Sequence, residues 1–137
     1  MSNDEQTTSP ATFNAINWFE LPTRDMDRAV GFYEQTLGIT LTRELFGGLP
    51  HAVFPARCPA GGSSVAGALV TGPHLTPGPS GTVVYLDCRD GVAAALARAT
   101  SAGAKVVIPH MHIGENGWIA LIDDLEGNRV GLHAMKP

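Results

Sequence analysis

The chain has 137 residues, enough for one domain with a core of its own. Apolar residues make up 44% and charged ones 16%, a globular balance, and a net charge of −4 leaves no basic stripe for the phosphates of nucleic acid. No apolar run approaches the roughly 20 residues of a membrane-spanning helix, so that class is excluded too.

Residues 1–13 are polar and acidic, with neither a basic nor an apolar leader segment, and read as a flexible tail rather than a secretion signal. The two cysteines, Cys58 and Cys88, form no C-x-x-C. They point to a reduced, cytoplasmic protein with two ordinary thiols.

Ile16 to Leu21 is rich in β-branched and aromatic residues and ends at Pro22, which predicts a strand. Asp25 then caps a helix whose apolar stripe runs through Met26, Ala29, Val30, Tyr33 and Leu37, with Asp27 in the first turn and Gly38 as the stop. Ile39 to Phe46 is the next strand, and Gly47-Gly48 a tight turn. His51 to Ala56 and Val65 to Thr71 follow as strands, joined by a loop around Pro59 to Ser64. Residues 71–81 hold three prolines and three glycines and read as a connector.

The order then repeats. Val83 to Cys88 is a strand, Asp90 caps a helix carrying Val92, Ala95, Leu96 and Ala99, and Gly103 stops it. Ala104 to Pro109, Trp118 to Asp123 and Arg129 to Ala134 are three more strands, with a turn at Asp124 to Asn128 before the last. A shift of about 65 residues sets Asp25 on Asp90, Leu21 on Leu86 and Gly38 on Gly103. The fold class is therefore α+β: two βαβββ repeats, about 14–72 and 81–135, forming a cupped mixed sheet around a pocket within one domain spanning 14–137. One repeat alone cannot bury both faces of its sheet.

The run Asp25-Met26-Asp27-Arg28-Ala29-Val30-Gly31-Phe32-Tyr33 with Leu37-Gly38, followed much later by Asp124-Leu125-Glu126-Gly127-Asn128-Arg129-Val130, resembles the signatures of the vicinal oxygen chelate superfamily, which holds glyoxalases, bleomycin resistance proteins and dioxygenases. The resemblance covers roughly residues 14–135. It implies a small-molecule pocket. In typical members it also implies a divalent metal held by four His or Glu side chains from the first and last strand of each repeat, where the metal acts as a Lewis acid. The matching positions here are Trp18, Gly67, Val83 and Gly131, none of which supplies a side-chain ligand. The expectation is that no standard metal site and no cofactor is present; a divalent cation belongs to a second, disfavoured reading.

Strand alternation supplies other candidates. If Trp18 faces the pocket, so does Glu20; if Gly131 does, so do Arg129 and His133. Glu20 and His133 are the predicted catalytic or hydrogen-bonding pair, weighed against a buried Glu20–Arg129 ion pair. Trp18, Phe54, Tyr85, Trp118 and Arg129 are the predicted substrate-binding side chains, with Trp18 filling the metal's space. His110 and His112 lie on one side of an extended segment, a chelating spacing that His51 or His133 would complete, weighed against simple solvation. Gly114 to Gly117 reads as a hairpin turn at the rim, and Arg28, Arg98 and Lys105 as solvated positions.

Three functions fit. The first is a glyoxalase-like small-molecule binder or enzyme working without the standard metal. The second is a metal-dependent lyase, isomerase or dioxygenase with a displaced histidine site. The third is a protein that sequesters a drug or toxin without chemistry. The predicted partners are a small-molecule ligand and a second copy of the chain as a homodimer.

Overall fold

The computed structural model describes residues 15–56 and 65–137. The tail and the predicted loop around Pro59 to Ser64, with Cys58, lie outside them.

Two βαβββ modules are present. In the first, β1 (Trp18–Pro22) leads to α1 (Met26–Leu37), then β2 (Thr42–Phe46), β3 (Leu49–Val53) and β4 (Ala66–Val70). The second repeats this as β5 (Tyr85–Asp87), α2 (Val92–Ser101), β6 (Lys105–His112), β7 (Trp118–Asp123) and β8 (Arg129–Ala134). The sheets are ordered β1-β4-β3-β2 and β5-β8-β7-β6. In each, the first strand lies parallel to the last and the remaining pairs are antiparallel.

α1 starts where its cap predicts. Asp25 is extended, and its side chain accepts from the Arg28 N–H at 3.0 Å. It ends at Gly38, whose φ of 66° suits the left-handed region. The Gly47-Gly48 turn has φ of 59° and 78°, the two left-handed residues of a type I′ hairpin. α2 departs from expectation. Its N-cap is Gly91, with no side-chain cap, because Asp90 is turned to Arg98 at 2.9 and 3.2 Å. β6 runs through Pro109 to His112, longer than predicted, because an edge strand needs no ladder donor at proline on its open side. The histidine segment is therefore a strand end rather than a loop. Gly114 to Asn116 is a single 3₁₀ turn.

One core spans both modules. It contains Leu21, Tyr33, Phe54 and Leu69 from the first and Leu86, Ile122, Val130 and Leu132 from the second. Each such side chain contributes about 1.5–3 kcal/mol on burial. α1 packs on α2. Arg28 and Arg98, predicted to be solvated, both bridge modules: Arg28 reaches Glu126, and Arg98 Nε donates to the Thr36 carbonyl at 3.0 Å. The turn before β8 is a buried polar hub. Asp124 accepts from Tyr33 Oη at 2.6 Å and from the N–H groups of Glu126 and Asn128, while Asn128 Nδ2 donates to the Pro22 carbonyl. Core burial also pushes the Cys88 thiol up to about 11, which keeps it unreactive.

Candidate functional site

Leu21 and Leu69 pair across β1 and β4, Leu86 and Leu132 across β5 and β8, and all four side chains face the helices in the core. The opposite faces of the two sheets therefore carry Trp18, Glu20, Ala68 and Val70 in one module and Tyr85, Asp87, Gly131 and His133 in the other. The register corrects one prediction. The first-module counterpart of Gly131 is Ala68, not Gly67. Gly67 pairs with Phe19 on the helix side, where a methyl group at Gly67 would overlap the Phe19 ring. Gly131 pairs with Tyr85, whose ring covers it. Trp18 lies opposite Ala66, so it does not stand over a glycine.

This arrangement does not fit a chelated metal. The cup positions carry indole, methyl, isopropyl and hydrogen, and the space above Gly131 is taken by a phenol ring. Nor do the histidines regroup elsewhere. His110 and His112 both flank Trp118, at ring-centroid distances of 5.7 and 5.0 Å, which bears out their common side. Among the described residues, no three His, Cys, Asp or Glu side chains converge as metal ligands.

Two adjoining clefts lie where the modules meet. The larger, about 880 Å³, is lined by Phe19, Leu37, Ile39, Phe54, Val84 and Tyr85, among others, with Asp87 and Arg89 as its charged members. The smaller, about 530 Å³, is lined by Trp18, Glu20 and Arg129 together with Thr76, Ser80 and Asn128. Ile16, Phe19 and Val84 belong to both. Phe19 is held in place by Phe54 at 5.4 Å, and Phe54 by Tyr33 at 5.7 Å, so the aromatic wall is anchored to α1.

The predicted binding side chains are thus divided. Phe54 and Tyr85 line the larger cleft, Trp18 and Arg129 the smaller, and Trp118 lines neither, being stacked among the histidines. Arg129 is paired with Asp123 at 3.0 Å rather than with Glu20. The predicted Glu20–His133 pair is not assembled. His133 Nε2 donates to the Asn116 carbonyl at 2.6 Å, at the far end of its own sheet. The imidazole that approaches Glu20 is His51, from β3, with Nε2 3.9 Å from Glu20 Oε2. Trp18 Nε1 donates to the same oxygen at 3.2 Å. Sequence reasoning missed Phe19 and offered His51 only as a possible metal ligand. Phe19 is adjacent to the predicted Trp18, and His51 becomes legible only once β3 is placed against β4.

A protein-family profile described as the Glyoxalase/Bleomycin resistance protein/Dioxygenase superfamily matches residues 15–132. No curated protein matches. Among solved structures, the chain is similar to TnmS3, an antibiotic binding protein from Streptomyces sp. CB03234, at 25% identity over 92% of this chain and 98% of that one, with a TM-score of 0.60. It is similar in fold to a glyoxalase-related enzyme from Fulvimarina pelagi at 14% identity, covering 88% of each chain with a TM-score of 0.63. It is likewise similar to FosX, a genomically encoded fosfomycin resistance protein from Listeria monocytogenes, at 12% identity, covering 89% of this chain and 90% of that one with a TM-score of 0.61.

Proposed function

The chain belongs to the glyoxalase/bleomycin resistance protein/dioxygenase superfamily, and within it we propose a protein that binds an aromatic small molecule between its two modules without a metal chelated by the cup. The observation that carries this reading is the cleft of about 880 Å³ walled by Phe19, Phe54 and Tyr85. Its volume falls in the range of small-molecule sites, its walls are apolar, and Asp87 and Arg89 give it a few polar groups for orientation. Flat rings stack on such walls at little entropic cost where the rings are already held, as Phe19 is by Phe54 and Phe54 by Tyr33.

Binding without chemistry is favoured over turnover. Two of the predicted polar groups are already engaged, Arg129 with Asp123 and His133 with Asn116. The likeness to an antibiotic binding protein supports sequestration of an antibiotic-like compound. The protein acts as a homodimer: both faces of β6 are exposed, with Val106, Val107, Ile108 and Met111 uncovered, an apolar surface of the kind a second copy covers.

The test is a melting-temperature screen against polycyclic aromatic antibiotics. A ligand at about 100 times its Kd stabilises the fold by roughly 2.7 kcal/mol. Phe54→Ala and Tyr85→Ala abolish that shift, and mass spectrometry recovers the compound unchanged. A shift that survives both substitutions overturns the assigned cleft, and a modified compound overturns sequestration.

A further inference from the structure

The linker between the modules does more than connect them. Thr76, Gly78, Ser80 and Thr82, alternate residues along it, line the cleft of about 530 Å³. Pro77 and Pro79 push the residues before them toward extended backbone, where alternate side chains share a side. Gly78 N–H donates to Asn128 Oδ1 at 3.1 Å, and Asn128 Nδ2 donates to the Pro22 carbonyl at 2.7 Å. This wall is therefore tied both to the end of β1 and to the turn before β8. Its hydroxyl-bearing residues, Thr76, Ser80 and Thr82, are all exposed.

The same cleft is lined by Trp18 and Glu20 of β1 and Arg129 of β8. Trp18 leaves 42% of its surface exposed, and its Nε1 donates to Glu20 Oε2 at 3.2 Å, which orients the indole and the carboxylate together. Arg129 is oriented by Asp123 through bonds of 3.0 and 3.3 Å. The polar groups differ in what they require. A carboxylate only accepts, a guanidinium only donates, and a hydroxyl does either. A ligand ammonium only donates and has nothing for Arg129; a ligand carboxylate only accepts and is repelled by Glu20. A polyol donates and accepts at each hydroxyl and matches the whole set. The exposed indole narrows the choice among polyols, because the C–H face of a pyranose ring is weakly positive and meets the negative face of the aromatic ring.

We propose that the smaller cleft is a carbohydrate site for a neutral pyranoside, with the sugar ring on Trp18 and its hydroxyls shared among Glu20, Arg129 and the linker. It does not rest on the reading of the larger cleft, whose Phe54 and Tyr85 line no part of the smaller one.

The ¹⁵N-edited spectrum of the full chain carries one indole N–H signal from Trp18 and one from Trp118, and a Trp118→Phe variant assigns them. Titration with the methyl pyranosides of glucose, galactose and mannose moves the Trp18 signal to saturation with at least one sugar and leaves the Trp118 signal in place. The ether 2-methoxytetrahydropyran, which keeps the ring and lacks its hydroxyls, gives no such shift. Glu20→Gln keeps the shape and an acceptor for Trp18 and lowers sugar affinity about tenfold, the size of one lost hydrogen bond to a charged group. The same variant leaves the melting shift given by an aromatic ligand unchanged, so the two clefts are read apart. A Trp18 signal that saturates with none of the sugars overturns the proposal. So does an equal response to the ether, or an affinity that Glu20→Gln does not change.

Discussion

Tyr33 Oη donates to Asp124 Oδ2 at 2.6 Å, a bond between α1 of the first module and the turn before the last strand of the second. Both residues are buried. Burial first, and then the Asp124 charge, hold the Tyr33 hydroxyl well above the usual tyrosine range, so it remains a donor. The bond ties the two modules together. Tyr33→Phe removes the donor while Asp124 keeps its bonds from Glu126, Asn128 and the Asn128 side chain. The expected loss is about 1.5–3 kcal/mol, the range for a hydrogen bond to a charged group, read as a lower urea midpoint with an unchanged slope.

The second tie between modules is sensitive to acid. Burial raises the pKa of Glu126, but hydrogen bonds from the Arg28 side chain, the Arg24 N–H and Thr23, with the Arg28 charge, outweigh it and hold the carboxyl below the ordinary value of 4.5. A folded-state pKa below the unfolded one gives stability that is fully present above the unfolded value and is lost as pH falls through the folded value. Glu126→Gln should therefore melt below the unsubstituted protein at pH 7, and the gap should narrow steadily below about pH 4.5. A gap that is constant with pH would mean the ion pair contributes nothing through its charge.

Much of the fold was legible, for identifiable reasons. The period of Met26, Ala29, Val30, Tyr33 and Leu37 marks α1, and β7 and β8 match their predicted spans. Alternation within one strand places Glu20 on the cup, and it needs no tertiary knowledge. The errors arose between strands. Choosing Gly67 rather than Ala68 as the counterpart of Gly131 is a slip of one residue, and one residue turns a side chain to the other face. The sequence offers His51 only as a possible metal ligand, because its approach to Glu20 depends on two strand pairings, β1 with β4 and β4 with β3. Asp90 has a good capping side chain, but Arg98 competes for it.

The two aromatic–glycine pairs should respond differently to a methyl group. At Gly67 the neighbouring Phe19 ring is packed against the core and Phe54, so it has little room to move. At Gly131 the overlapping Tyr85 ring is 44% exposed and can swing outward. Gly67→Ala should cost about 1–3 kcal/mol, the usual range for overpacking, and Gly131→Ala under about 1 kcal/mol. Ligand binding should report the opposite order of subtlety: Gly131→Ala, although stable, moves a cleft wall and weakens aromatic binding.

The exposed strand β6 bears on assembly. Its apolar side chains flank Pro109, and its pairing with β7 slips twice, between Val106 and Ile108 and between Ile108 and Met111. Proline and bulges blunt edge-to-edge pairing, so a second copy should cover a face of β6 rather than extend the sheet. Light scattering should give the mass of two chains, and Ile108→Lys should give one.

Metal dependence tests the cup itself. Typical members bring side-chain ligands to the positions held here by Trp18, Ala68, Val83 and Gly131, and none of these offers a carboxylate, imidazole or thiolate. Binding a divalent ion by such a set would leave it to water alone, with no gain over bulk solvent. The purified protein should therefore contain well under one equivalent of divalent metal. Its melting temperature should be the same with and without a chelator, and so should its affinity for the aromatic ligand. Substituting Ala68→Glu and Gly131→Glu together tests the register. Both positions lie on the face of their own sheet away from the helices, and the double variant should gain a metal-dependent rise in melting temperature once the Tyr85 ring is displaced. Gly67→Glu paired with Gly131→Glu should not, because Gly67 faces Phe19 and the helices.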